Sequence, residues 1–166
     1  MTRLTPDVIK GIPETISSLD TALERIIGAD LRHVACSAAG ISTEDICFES
    51  YTVAVVPVTS GKGVITGFSE SVSAAVREIG MNSFVTEGSD VTGTAEAYRS
   101  GADIIFMADD ESFIAINTKA RMFTDNIRST AKGYVAALKC VEGDLAGKKV
   151  LVLGAGRVGT VATEIL

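Results

Sequence analysis

Between Thr5 and Gly28 the apolar residues Val8, Ile9, Ile12, Ile16, Leu19, Leu23, Ile26 and Ile27 step three or four positions at a time, the period of a helix with one buried face. Pro6 suits a first helical turn behind Thr5, whereas Pro13 would interrupt a continuous helix. The pattern therefore predicts one or two amphipathic helices, broken near 11–13 and stopped by Gly28, with a further short helical segment over 30–40.

The period then changes. TVAVVPV (52–58) reads as a buried strand, and TSGKGVITG after it as a glycine-rich loop. A helix is predicted from Ser69 to Gly80 with Val72, Ala75, Val76 and Ile79 on its buried face; Ser69, Glu70 and Ser71 at its start are explained by capping. SFVT (83–86) is a short strand, Asp90 an N-cap, and VTGTAEAYRS a helix closed by Gly101. ADIIFMA (102–108) is a third strand. Ile127, Ala131, Tyr134, Val135 and Leu138 mark a helix over about 126–140, and KKVLVL (148–153) reads as a fourth strand.

Strands alternating with helices of this length predict an α/β fold with a mainly parallel sheet, because parallel neighbours need a crossover and a helix is the usual one. The polar, glycine-rich GDLAGKK places a boundary near 144–148. A small N-terminal parallel-sheet α/β domain with flanking helices is expected over 1–146, and a second domain begins at 147–166.

Composition narrows the function classes. The chain has 166 residues, is 46% hydrophobic and carries a formal net charge of −6, with its Lys and Arg scattered. The electrostatic footprint of a nucleic-acid or membrane-surface binder is missing. Cys36, Cys47 and Cys140 form no CxxC pair and, with the single His33, give no zinc spacing, so no metal is expected. His33 is expected on a helix face or surface. Free thiols and the lack of an apolar run near the roughly 20 residues that cross a bilayer predict a soluble, cytoplasmic protein.

Gly154-Ala155-Gly156-Arg157-Val158-Gly159 matches GxGxxG directly after a predicted strand and at the opening of a helix. Gly154 permits the tight turn, Gly156 lets the backbone approach a pyrophosphate, and Gly159 allows the helix to pack closely on the strand. These six residues are candidate cofactor contacts, and 147–166 reads as the first βα unit of an incomplete Rossmann domain. Only seven residues follow Gly159, so the acidic residue that would meet the ribose is absent. The chain is expected to be a fragment that does not turn over substrate alone, with an unpaired 148–153 strand that is disordered, folds back, or pairs with another copy.

Two further clusters could carry chemistry. Asp109 and Asp110 follow ADIIFMA, at the carboxyl end of a predicted parallel strand, where open α/β sheets bind ligands. They could hold ammonium groups or move protons, or they could simply cap a helix beginning near Ser112. The loop Thr59, Ser60, Gly61, Lys62, Gly63 offers hydroxyls and amides to a carboxylate. It is not a P-loop, because Val56 stands where GxxxxGK[ST] needs its first glycine and Gly63 follows Lys62.

VPVTSGKGVITGFSES, MADDESFIAIN and VLVLGAGRVG, in this order and spacing and with the opening LTPD, resemble the PylD family of pyrrolysine-biosynthesis dehydrogenases over nearly the whole chain. The resemblance implies a two-domain NAD enzyme that oxidises the terminal amine of the isopeptide 3-methyl-D-ornithyl-N6-lysine. Ammonia is then released to leave a semialdehyde, and ring closure gives pyrrolysine. Asp109 is implied at the reacting amine as the catalytic candidate. Ser60 is implied as a substrate contact, with Thr59, Ser69, Asp110, Asn117 and Asn126 in matching stretches, and Leu4 where the opening helix closes on substrate. The rival readings are another amino-acid-dehydrogenase-like NAD(P) enzyme and a non-catalytic amino-acid-binding module.

Overall fold

A computed structural model describes residues 5–166, so the candidate Leu4 lies outside the described residues. The chain forms two compact units: one holds the chain up to Ser17 together with Cys47–Asp125, the other Ser18–Ile46 with Asn126–Leu166.

The first unit is a mixed five-stranded sheet of order β2-β1-β3-β4-β5, with β1 Thr52–Val56, β2 Asn82–Val85, β3 Ile104–Ala108, β4 Phe113–Asn117 and β5 Met122–Asp125. β1 is parallel to β2 and β3, with Ala54 opposite Phe84 and Ile105, while β4 and β5 are added antiparallel. The parallel half is built as expected from two crossovers, through α4 (Phe68–Glu78) and α5 (Asp90–Arg99). Ala54, Val56, Ala97, Ala102 and Ile105 make one core cluster, flanked by Phe84 and Met107, so α5 covers that face. Adjacent strand residues point to opposite faces. Ser83, next to Phe84, therefore faces the other way, and its hydroxyl lies 2.9 Å from that of Ser73 on α4.

Several expectations change here. α4 starts at Phe68 behind Gly67, which is in the left-handed region at φ 83°, and no side chain caps it. Ser69, Ser71 and Ser73 are buried instead, together with Ala74 and Val76, so the inward face is more polar than the one predicted from Val72, Ala75, Val76 and Ile79. Ser71 Oγ serves the carbonyls of Ile9 (3.0 Å) and Gly67 (2.7 Å), which ties α1 (Pro6–Ile9) to α4. No helix begins near Ser112; Phe113 opens β4. FIAIN shows no alternation of buried and exposed positions, because all five residues are half-buried.

α2 (Ile12–Ile27) follows the predicted break, with Pro13 in its first turn where a missing N–H costs no hydrogen bond, and Gly28 ends it at φ 73°. In the second unit α3 (Leu31–Ala39) is capped by Asp30 and ended by Gly40 in the left-handed region. His33 is exposed on α3, its Nδ1 2.7 Å from Asp30 Oδ1. α6 (Asn126–Glu142) is in contact with α3 and with α7 (Arg157–Ile165). KKVLVL forms no strand. Among the described residues all five strands belong to the first unit, so within its own unit 148–153 has no strand to form a ladder with. No helix among the described residues is long and apolar enough to cross a membrane.

Candidate functional site

Because β1, β2 and β3 run parallel, the segments that follow them leave the sheet at one edge. These are loop 57–67, loop 86–89 and turn 109–112. The first of these is held by aspartates from the other two segments' ends, Asp90 and Asp110, and the third by its own Asp109.

Asp90 begins α5, yet its side chain caps nothing there; the N-cap position belongs to Ser89, which makes no side-chain cap bond either. The Asp90 carboxylate instead accepts from the Thr59 amide at 2.8 Å and from Thr59 Oγ1 at 2.6 Å, while the Asp90 amide donates to the Pro57 carbonyl at 2.9 Å. The Thr59 hydroxyl and then its amide draw the Asp90 carboxyl below its ordinary pKa. Asp90 adopts φ 51°, a region that residues other than glycine seldom occupy. Loop 86–89 is gathered in turn by Glu96 of α5, which accepts from the Gly88 amide at 2.9 Å and the Glu87 amide at 3.0 Å. Those amides, Gly88 first, lower the Glu96 pKa.

At the far side of the same loop, Asp110 Oδ2 accepts from the Lys62 amide at 2.7 Å. Gly61 sits against that carboxylate at φ 67°, and any side chain there would collide with it. Asp109 turns the chain from β3 into β4: its Oδ1 accepts from the amides of Glu111 (2.8 Å) and Ser112 (2.7 Å), and its own amide donates to the Ser112 carbonyl (2.9 Å). Asp109 is a turn-former rather than the helix cap considered from sequence. Its side chain is exposed, and Oδ2 takes no hydrogen bond among the described residues. Beside this turn, Phe113 packs on Phe68 with ring centroids 5.5 Å apart and on Phe106 at 5.9 Å, an apolar floor at the foot of the edge.

The fold thus brings Thr59, Ser60, Asp109 and Asp110 to one edge, with Ser60 exposed between the two fastened ends of its loop. Ser69 is nearby in sequence but buried in the first turn of α4. Asn117 lies at the opposite edge, paired with Ile104 at the start of β3, about 13 Å from the Asp109 end at ~3.3 Å per residue. Its Oδ1 accepts from the Ala120 amide in the β4–β5 turn. Asn126 opens α6 in the second unit, with Thr130 Oγ1 donating to its Oδ1 at 3.2 Å.

In the second unit the glycine turn opens α7, but the strand expected before it is not formed. Gly154 is at φ 103°, and a side chain at Gly159 would strike the Gly154 carbonyl, so the helix start is pressed against the turn as anticipated. Gly156 stands immediately before the helix with open space where a Cβ would be. Ala155, Arg157 and Val158 complete the turn into α7. These residues fit a dinucleotide phosphate, which would meet the backbone at Gly156 and the amino end of α7.

Asp90 is thus a loop anchor and not the N-cap expected from sequence. The signal that could have found it is a second aspartate-bearing segment after β2, which in a parallel sheet must emerge beside the segment after β1.

Known proteins similar in sequence place the chain in a family. Residues 8–124 match the family pattern described as pyrrolysine biosynthesis protein PylD, N-terminal domain. The chain is 37% identical to the pyrrolysine synthase of Methanosarcina barkeri over 167 aligned positions, which cover 100% of this chain and 61% of that protein. It is 39% identical to the pyrrolysine synthase of Methanosarcina acetivorans over 160 positions, 96% of this chain and 59% of that protein. The chain spans about three-fifths of the length of these relatives. By this match over most of its length, the chain belongs to the PylD family and carries that family's N-terminal domain.

Proposed function

We propose that the protein acts in pyrrolysine biosynthesis as an NAD-dependent amine dehydrogenase. In this reading residues 1–146 hold the substrate and 147–166 begin the cofactor domain. The substrate is 3-methyl-D-ornithyl-N6-lysine. Loss of a hydride from carbon and a proton from nitrogen of its terminal CH–NH3 group leaves an iminium; water replaces ammonia to give the semialdehyde; the ornithine α-amine then condenses with that aldehyde, releasing water and closing the ring. NAD supplies the two-electron oxidation when bound, and Gly154, Gly156 and Gly159 with the amino end of α7 are the groups that would hold it.

The observation that carries the reading is the pairing of an exposed Asp109, anchored through one oxygen only, with the Ser60 loop at the same sheet edge, in a chain of this family. A carboxylate oriented by two backbone amides is suited to bind an ammonium group and hold it in one place, since charge-assisted hydrogen bonds are short and directional. Ser60 and the amides of its loop would meet a carboxylate or carbonyl of the isopeptide. The aromatic floor of Phe68, Phe106 and Phe113 would carry the aliphatic part of the ligand.

The test is NADH and ammonia formation by the protein expressed at the length of its relatives. The isopeptide is expected to yield both, and lysine and ornithine neither. NADH from common amino acids but none from the isopeptide would overturn the reading. Asp109→Asn should lower kcat/KM at least about 100-fold, since it removes the charge that faces the amine.

A further inference from the structure

Asp90 and Asp110 spend their carboxylates on the backbone of a loop. They grip it at its two ends, Thr59 and Lys62, and leave Ser60 exposed between. Both oxygens of Asp90 are taken by Thr59, whereas Oδ2 of Asp109 takes no hydrogen bond among the described residues. We propose that Asp90 and Asp110 are positioning residues, which hold loop 59–63 from both ends so that Ser60 and the open oxygen of Asp109 present one fixed geometry to the amine-bearing ligand. The inference rests on the substrate-site reading above and deepens it by removing Asp110 from the set of direct contacts.

Three observations bear on it. Both anchors act on backbone amides, so they set the path of the loop whatever its side chains do. The loop has the freedom that makes anchors necessary, with Gly61 and Gly63 both at positive φ. Asp90 tolerates φ 51° in order to reach Thr59, a backbone cost that glycine would avoid at the same position. A residue kept at that cost for folding alone would be improved by glycine; one kept for its carboxylate would not.

That contrast supplies the test. Asp90→Gly relieves the backbone while deleting both bonds to Thr59, and Asp90→Asn keeps an acceptor for the Thr59 amide. In this chain, Asp90→Gly should leave the melting temperature within a few degrees and speed hydrogen exchange at the Thr59 amide at least about tenfold. In the protein of the relatives' length, it should raise KM for the isopeptide about tenfold or more, and Asp90→Asn should recover most of that loss. Should Asp90→Gly fail to fold, Thr59→Val deletes one of the two bonds and should give a smaller KM increase in the same direction. Unchanged Thr59 exchange, or unchanged KM in a variant set where Asp109→Asn still lowers kcat/KM as above, would overturn the clamp and leave the site intact. Unchanged kinetics in both Asp90→Gly and Asp109→Asn would overturn the site and the clamp together.

Discussion

Asp103 illustrates how one buried charge can join three segments. It is 6% exposed, accepts from the Thr52 amide at 2.9 Å through Oδ2, and pairs with Lys119 Nζ at 2.6 Å through Oδ1, joining the starts of β1 and β3 to the β4–β5 turn. The two bonds differ in worth. Lys119 is 72% exposed, so solvent screens its ion pair and leaves it weak, whereas an unsatisfied Thr52 amide would cost about 1–3 kcal/mol. Asp103→Ala should therefore destabilise the fold by about 2 kcal/mol, with Lys119→Ala costing clearly less, both measured by urea unfolding. Lys119, and after it the Thr52 amide, lowers the Asp103 pKa in the folded chain. The sign follows from that direction: the stabilisation is fully present above the unfolded carboxylate value near 3.9 and is lost as pH falls through the lower folded value. Asp103→Asn should flatten that acid limb while leaving the neutral-pH part of the curve parallel to the parent's.

At the scale of elements, the close approach of α5 to its own preceding loop is what Gly93 allows. A Cβ at Gly93 would collide with the Gly88 carbonyl and stand 2.7 Å from Val56 Cγ1, in the middle of the main core cluster. Gly93→Ala should cost about 1–3 kcal/mol by overpacking and should loosen Gly88, whose amide bonds Glu96. Urea unfolding with amide exchange at Gly88 measures both. The hairpin β3–β4 belongs to this scale as well. Strand–turn–strand and strand–turn–helix begin alike in MADDES, and local capping logic favours a helix there. The chain makes a hairpin because β3 has an edge left open by β1, and FIAIN pairs along it from Phe113 opposite Ala108 to Asn117 opposite Ile104.

Over the whole molecule, the parallel half was readable, since period and turn signals marked β1, α4, β2, α5 and β3 within a few residues. The turn of GxGxxG was readable too, with Gly154 at positive φ and Gly159 close against it. The segment before it was not: Val150 to Leu153 looks like a strand by composition but forms none, leaving Leu151 82% and Leu153 87% exposed. Such apolar exposure predicts self-association of this chain at rising concentration, abolished by Leu151→Lys with Leu153→Lys in sedimentation experiments. Of the candidate site, Ser60 and Asp109 were legible as loop residues after strands, but the roles of Asp90 and Asp110 were not. By itself the sequence determined the periods, breaks and glycine turns, because these follow from sterics and burial within a few neighbouring residues. Only the tertiary structure decided which carboxylates serve the backbone and which one keeps an oxygen open, and whether a strand forms at all. Each of those depends on a partner that the chain brings close from tens of residues away.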